Sequence, residues 1–383
     1  MLPIDSAQAR LVGRVWRPEV AGPSVVLVRQ GELIDITSQY PTMSDLLAED
    51  AVAVFDHAAG ESLGTIENFM HAPDLMSAQD RPHLLAPCDL QALKACGVTF
   101  ARSMVERVID EKTAGDPTRA DEIRRRVGEL IGNSLSNIKA GSPEATKIKE
   151  ILIQEGLWSQ YLEVGIGPDA EVFTKSQPLS AVGHGAYVGV NPISKWNNPE
   201  PEIVLAVNEV GAIKGATLGN DVNLRDVEGR SALLLGKAKD NNASCAIGPF
   251  IRLFDSTFTI DDIASAMLTM KVAGNDGFML EGSSNMAEIS RAPAELVGQT
   301  INRNHQYPDG FMLFLGTMFA PTQDRTTPGG GFTHQAGDVV EVSTPLLGTL
   351  RNIVVASDIA QPWQFGTRSL MRNLAARGFL GGH

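Results

Sequence analysis

Short apolar runs punctuated by glycine, proline and asparagine fill most of the chain, and one central stretch breaks that rhythm. Near the amino terminus Leu11–Trp16, Ser24–Val28 and Leu33–Ile36 have the length and alternation of strands, which predicts a small β-rich domain over residues 1–80. Gln79–Pro87 opens polar and carries two prolines, so it reads as a linker to a larger domain over residues 84–383. From Phe100 to Leu162 the apolar positions step by three and four instead: Val105, Val108 and Ile109, then Ile123, Val127, Leu130 and Ile131, then Ile148, Ile151, Leu152 and Leu157. That spacing predicts a helical insertion over about residues 102–162, with Arg124-Arg125-Arg126 on a solvated face. It reads equally well as a lid over a substrate or as a packing or dimer element. Beyond Phe173 strands and turns return, Asp338–Thr344 alternating well, before a last helix over Ser369–Arg377. The pattern as a whole is α+β and mostly β.

Charge concentrates the interest at one place. Pro199-Glu200-Pro201-Glu202 leads into the apolar run Ile203–Val207; Asn208–Gly211 reads as a turn, and Ala212–Leu218 returns as a second strand ending in Gly219-Asn220-Asp221. Alternate residues of a strand share a face, so Glu200 and Glu202 project together and the hairpin can bring Asp221 beside them. Carboxylates so placed repel one another and raise a pKa unless a cation lies between them. Three oxygen donors without His or Cys favour Mg2+, with Mn2+ or Ca2+ as alternatives, over zinc. A Glu-x-Glu pair alone is also common on solvated strand edges, so the residues around it carry the weight.

Those residues resemble the fumarylacetoacetate hydrolase superfamily. The matching motifs, in order, are Phe173-Thr174-Lys175, Glu200-Pro201-Glu202, Gly219-Asn220-Asp221 with Arg225-Asp226, Lys239 ahead of Gly248-Pro249, Gly282-Ser283-Ser284-Asn285, Leu315-Gly316-Thr317 and Gly337-Asp338-Val339-Val340. The resemblance covers roughly residues 84–355 and implies a β-roll catalytic domain whose metal ligands are Glu200, Glu202 and Asp221. It implies Lys239 as a catalytic group, preferred to Lys237 by its distance from Gly248-Pro249. Beside a dication in a pocket, Lys239 is expected to have a lowered pKa.

One departure from the family pattern bears on the reaction. Hydrolases of this family commonly carry Gly-x-Asn-Tyr-x-x-His-x-x-Glu; here the segment runs from Gly97 to Glu106, with Ser103 in place of the His and Glu106 retained. Serine does not titrate near neutral pH, which removes the usual route to an activated water. With Trp196–Glu202, Ser244–Pro249 and His305–Gly310, this version is similar to the family's sugar-acid dehydratases. That branch acts on 2-keto-3-deoxy-D-xylonate or D-arabinonate. The resemblance therefore implies Mg2+-dependent dehydration of a 2-keto-3-deoxy-pentonate to 2,5-dioxopentanoate, Lys239 and Glu106 sharing the proton transfers. The alternative is hydrolysis of a carbon–carbon bond in a diketo acid. Thr317, Ser103, Lys175, Ser283 and Asn285 are the implied substrate-side positions, Lys175 neutralising substrate charge at the mouth. Arg225 and Asp226 are expected to brace the metal loop as an ion pair.

Composition narrows the partners. A chain of 383 residues with 43% hydrophobic content can bury a large core, and a net charge of −13 disfavours nucleic acid and anionic membranes. Three cysteines without metal spacing make a disulfide framework improbable. No apolar run has the length of a membrane span, and Met1–Asp5 lacks the opening of a signal peptide. A cytoplasmic enzyme acting on a small 2-keto acid is expected, with a homo-oligomer, dimer or tetramer, implied by the resemblance. Neither dinucleotide-binding nor P-loop glycine spacing occurs, and Gly60-x-Ser62-x-Gly64 lacks the strand that a nucleophile elbow needs.

Overall fold

The computed structural model describes all residues except 71–77, 115, 117–119, 121–124, 126–137, 155, 157, 319–320, 327 and 381–383. The chain opens with β1 (Leu11–Arg17), β2 (Gly22–Arg29) and β3 (Glu32–Asp35), then helices α1 (Met43–Ala48) and α2 (Ala51–His57), then β4 (Glu61–Thr65), β5 (His83–Leu85) and β6 (Ala92–Gly97). Helices α3 (Ala101–Thr113), α4 (Pro143–Gln154) and α5 (Gln160–Ile166) follow. Next come β7 (Glu171–Ser176), β8 (Tyr187–Val190), β9 (Asn197–Asn198), β10 (Pro201–Val207), β11 (Ile213–Asp221) and β12 (Asn223–Leu224). Two short helices, α6 (Arg225–Glu228) and α7 (Leu235–Lys239), precede β13 (Cys245–Leu253), α8 (Ile260–Ala264), β14 (Met267–Ala273) and β15 (Met279–Asn285). The chain closes with α9 (Pro293–Thr300), β16 (Phe311–Phe314), β17 (Val339–Thr344), β18 (Gly348–Ala356) and α10 (Thr367–Ala376).

A long sheet runs β4-β3-β2-β1-β13-β11-β10-β16-β6-β7, with β5 also paired to β1. A second sheet has the order β15-β14-β17-β18-β8, and β9 pairs with β12 as a small ladder. The two large sheets share a core: Ile203, Leu205, Val207, Leu218 and Leu313 of the first meet Leu268, Met270, Val272, Val340, Val342 and Val354 of the second. On the other face of the long sheet, Val204, Ala206, Ile247 and Phe314 pack with Val12, Val25 and Leu27 and with Met43, Leu46 and Leu47 of α1. Burial on both faces explains why β10 reads as an unbroken apolar run rather than an alternating one. The architecture is α+β with strands predominating, as the sequence pattern predicts.

Two local expectations change. Gln79–Pro87 is more than a connector, because β5 lies within it and pairs antiparallel to β1, Arg14 opposite Leu85 and Trp16 opposite His83. The amino-terminal strands continue the long sheet through β1 and β13, Leu11 opposite Arg252 and Val12 opposite Ile251. The buried Arg252 reinforces that seam by an ion pair with Asp5 at 2.6 Å. In the helical stretch, Met104 and Val108 of α3 pack with Tyr161, Leu162 and Ile166 of α5 and Leu152 of α4. The helix expected around Ile123, Val127, Leu130 and Ile131 lies outside the described residues. Among the described residues, no helix is long and apolar enough to cross a membrane. The three cysteines are buried and free.

Candidate metal centre and active site

The hairpin of β10 and β11 builds the carboxylate cluster. Pro201 opposes Asn220 and Glu202 opposes Gly219 across the ladder, and the Asp221 amide donates to the Glu200 carbonyl at 3.0 Å. The Asn220 side chain accepts from the Glu200 amide at 3.2 Å. Two strands held flush at their open end thus carry Glu200, Glu202 and Asp221 to one point, where a ligand atom from each lies within 4.8 Å of the others, all buried. Burial, reinforced by Asp221 and Glu200, holds the Glu202 carboxyl well above the ordinary glutamate value. A dication at this point would favour the ionised form of Glu202. All three donors are carboxylates, the chemistry of a hard divalent cation. The residues present suit such an ion.

Lys239, at the end of α7, is placed in this cluster. Its ammonium donates to Glu200 Oε2 and lies 2.9 Å from Asp221 Oδ2. Burial alone would lower its pKa, but Asp221 and Glu200 outweigh it and raise the value above that of an ordinary lysine. The lysine sits between two carboxylates, which set this direction; the lowering expected beside a dication belongs to the metal-bound site. Asp221 responds in the opposite direction: burial would raise its pKa, yet Lys175 and then Lys239 hold it below the ordinary aspartate value.

Lys175 is also placed differently from expectation. Its side chain is fully buried, and its ammonium lies 2.8 Å from Asp221 Oδ1. It is closed off from solvent, where a place at a mouth was expected. Glu106 projects from α3, and its Oε2 is 3.0 Å from Arg225 Nη2. Ser103 lies on the first turn of α3, and its side chain is outside the described residues. Thr317 is buried next to Gly316, whose amide donates to Glu202 Oε2 at 2.7 Å. Gly316 has φ +99, and a Cβ there would lie 2.0 Å from Thr99 Oγ1, so glycine is required for this approach. Ser283 and Asn285 lie on β15, at the edge of the second sheet. The Asn285 side chain accepts from the Ala287 amide at 2.9 Å. Among the described residues no hydrogen bond or ion pair joins either one to the carboxylates.

Several charged residues that the sequence did not single out complete the site. Arg107 of α3 donates to Glu200 Oε1, and its Nη1 lies 3.1 Å from both Asp110 and Glu228. Arg225 does not pair with Asp226. It holds Asp110 at 2.6 Å and Glu106, and its guanidinium lies over Trp196 at 4.2 Å from the ring centre. Asp226 instead accepts from the Ser194 hydroxyl at 2.6 Å and the Lys195 amide at 2.8 Å. Glu171, opening β7, is pushed up to about 7 by burial and then by Glu228, against Arg107 and Lys239. Gly97 makes room for it, since a Cβ there would sit 1.8 Å from Glu171 Oε2. A carboxyl that ionises near neutrality and lies within electrostatic reach of Lys239 and Glu200 is equipped to exchange a proton with a bound substrate. The same helical period that placed α3 puts Arg107 and Asp110 three apart on one side. Apolar spacing alone gives no sign that these charges are buried.

Comparison with known proteins follows the same line. Residues 165–355 match the profile of the fumarylacetoacetate (FAA) hydrolase C-terminal domain. The chain is 33% identical over 180 residues to a 2-dehydro-3-deoxy-D-arabinonate dehydratase of Saccharolobus solfataricus, covering 47% of this chain and 57% of that one. It is 31% identical over 194 residues to a probable 2-keto-3-deoxyxylonate dehydratase of Haloferax volcanii, covering 51% of this chain and 63% of the relative. The match thus spans about three fifths of each curated relative. In fold, the chain is similar to a 2-keto-3-deoxy-D-arabinonate dehydratase complexed with magnesium and 2,5-dioxopentanoate, with TM-score 0.62, 20% identity, and coverage of 91% of this chain and 99% of the other. A fumarylacetoacetate hydrolase from the psychrophilic Exiguobacterium antarcticum is less alike, with TM-score 0.52, 17% identity, and coverage of 91% and 100%. Matched in sequence across its carboxylate hairpin and in fold along most of its length, this chain is similar, through residues 165–355, to the C-terminal domain of the fumarylacetoacetate hydrolase family.

Proposed function

We propose that the chain is a magnesium-dependent lyase that dehydrates a 2-keto-3-deoxy-pentonate, the compound named equally 2-keto-3-deoxy-D-xylonate or 2-keto-3-deoxy-D-arabinonate, to 2,5-dioxopentanoate. The observation that carries the reading is the buried Glu200–Glu202–Asp221 cluster with the Lys239 ammonium inside it. The names of the relatives and the ligands of the similar fold support it. Glu200, Glu202 and Asp221 would hold the ion, which on binding a 2-keto acid supplies Lewis acidity at the C2 carbonyl and makes the C3 protons labile.

The chain's own residues then move the protons. We assign removal of a C3 proton to Glu171, whose carboxyl is balanced between its two forms near neutrality. Lys239 delivers a proton to the C4 hydroxyl, which leaves as water. The C3–C4 double bond then shifts to C4–C5 as a C5 proton is lost and a proton returns to C3, and the resulting C5 enol becomes the aldehyde as C4 takes up a proton and the C5 hydroxyl gives one up. Glu106, with Lys239 the other expected proton carrier, is ion-paired to Arg225 and acts by holding that guanidinium against Asp110. Thr317 is retained as a substrate-carboxylate donor, Ser103, Ser283 and Asn285 as outer contacts. The first 80 residues are read as an amino-terminal unit preceding the catalytic one, the whole as a homo-oligomeric cytoplasmic enzyme.

The test is to incubate the protein with Mg2+ and 2-keto-3-deoxy-D-xylonate and follow 2,5-dioxopentanoate through a coupled semialdehyde dehydrogenase, with Glu202→Ala alongside. Aldehyde that forms only with the wild-type chain supports the reading. Pyruvate from a 2,4-diketo acid, with no aldehyde from the sugar acid, overturns it in favour of a carbon–carbon hydrolase.

A further inference from the structure

A fully buried lysine needs an explanation, because removing an ammonium from water is unfavourable unless its hydrogens and charge are matched. Lys175 lies on β7 with no exposed surface, and its ammonium is taken up by groups of the protein itself. Its ammonium donates to the carbonyl of Val222 at 3.2 Å, to the carbonyl of Lys239 and to the Ser244 hydroxyl at 3.3 Å. It is also ion-paired to Asp221 Oδ1 at 2.8 Å. Ser244 repeats part of this pattern, donating to the same Lys239 carbonyl at 2.8 Å.

These contacts fall on two segments only. One is the end of the metal hairpin, Asp221–Val222; the other is the turn Lys239–Ser244. On the metal-dependent reading above, Glu200 and Asp221 would hold the ion, and the Lys239 ammonium that is bonded to both would have to make room for it. Lys175 grips the far oxygen of Asp221 and the backbone of Lys239, neither of which that exchange releases. We propose that Lys175 is a positioning residue that fixes the spacing between the metal ligand Asp221 and the backbone of Lys239, keeping the displaced Lys239 ammonium within reach of the substrate. The inference rests on the metal-dependent reading.

Electrostatics gives the proposal a sign that a scaffolding role lacks. A cation 2.8 Å from a ligand oxygen opposes a dication at that ligand, so its removal favours metal binding even as it loosens Lys239. The experiment compares the full-length wild type, Lys175→Met and Ser244→Ala. Mn2+ affinity is read by electron paramagnetic resonance, and kcat and KM are read on 2-keto-3-deoxy-D-xylonate. Lys175→Met is expected to bind Mn2+ at least as tightly as wild type, while kcat falls about 10- to 100-fold with KM little changed. Ser244→Ala keeps the ammonium and removes one tie to Lys239, so Mn2+ affinity should hold while kcat falls less. Weaker Mn2+ binding by Lys175→Met, with kcat restored at saturating Mn2+, overturns the proposal. If Lys175→Met does not fold, Ser244→Ala decides, and unchanged kcat in that variant overturns it. A wild-type chain that binds no Mn2+ contradicts the metal reading itself, a different outcome from either.

Discussion

Burial sets the chemistry of Glu171. Taken out of water beside Glu228, its carboxyl is pushed up to about 7 despite Arg107 and Lys239. If it is the group that accepts the C3 proton, kcat/KM rises with pH through about 7 in the wild type, and Glu171→Gln lowers the rate by about 10²- to 10⁴-fold and removes that limb. An unchanged profile in the variant would take the role away from Glu171. The same shift has a consequence for stability. The folded value lies above the unfolded 4.5, so the native state binds more protons between the two values. Glu171 therefore costs stability progressively as pH rises from about 4.5 to about 7, and the loss levels off above. Comparing denaturant midpoints of wild type and Glu171→Gln at pH 5 and pH 8 reads this directly: the variant should gain relative to wild type at the higher pH. Little of this was legible in the sequence. Glu171 stands at the start of a strand, where an acid is ordinarily solvated, and only the tertiary approach of Gly97 and Glu228 encloses it. Lys175 misleads for the same reason, since a lysine beside a strand reads as exposed until both sheet faces are known.

Among the elements, the β10–β11 hairpin was legible because three independent signals agree: an apolar run long enough for a doubly buried strand, a turn at Asn208–Gly211, and carboxylates at both open ends. Helix α3 was legible as a helix and not as part of the site. Its apolar period locates Met104 and Val108 against α5, while its charged residues cross to the hairpin, Arg107 to Glu200 and Asp110 to Arg225. Whether a helical arginine is solvated or bonded to a buried carboxylate depends on partners more than 90 positions away. This tie predicts that Arg107→Met destabilises the fold by about 3 to 5 kcal/mol, because Asp110, Glu200 and Glu228 lose a shared buried partner. Metal affinity should also weaken, about 10- to 100-fold, because three acids lose their shared anchor and the misplacement of Glu200 outweighs the relief of removing one cation beside it. Urea titration and Mn2+ binding check the two effects; a variant as stable as wild type with unaltered affinity would mean that α3 does not support the hairpin.

For the whole molecule, the sequence separates an amino-terminal β-rich stretch from the remainder, and the structure joins their strands in one sheet through β1, β13 and β5. Edge pairing between distant segments leaves no periodic trace, so such a seam is invisible until the chain is folded. With Val12, Val25 and Leu27 packed into the same cluster as Val204 and Ile247, the two stretches should unfold together. A single denaturant transition reported alike by far-ultraviolet circular dichroism and by tryptophan fluorescence is expected, and two separated transitions would restore the independence of the first 80 residues. The central claim is that three buried carboxylates hold a divalent ion on which the dehydration depends. The most direct measurement is turnover of 2-keto-3-deoxy-D-xylonate by chelator-treated protein before and after adding Mg2+, with bound Mn2+ counted per chain in wild type and in Glu202→Gln. The account predicts no aldehyde after chelation, its return with Mg2+, one Mn2+ per wild-type chain and a large loss of both binding and turnover in the variant. Full turnover after chelation, or equal Mn2+ binding by Glu202→Gln, would contradict it.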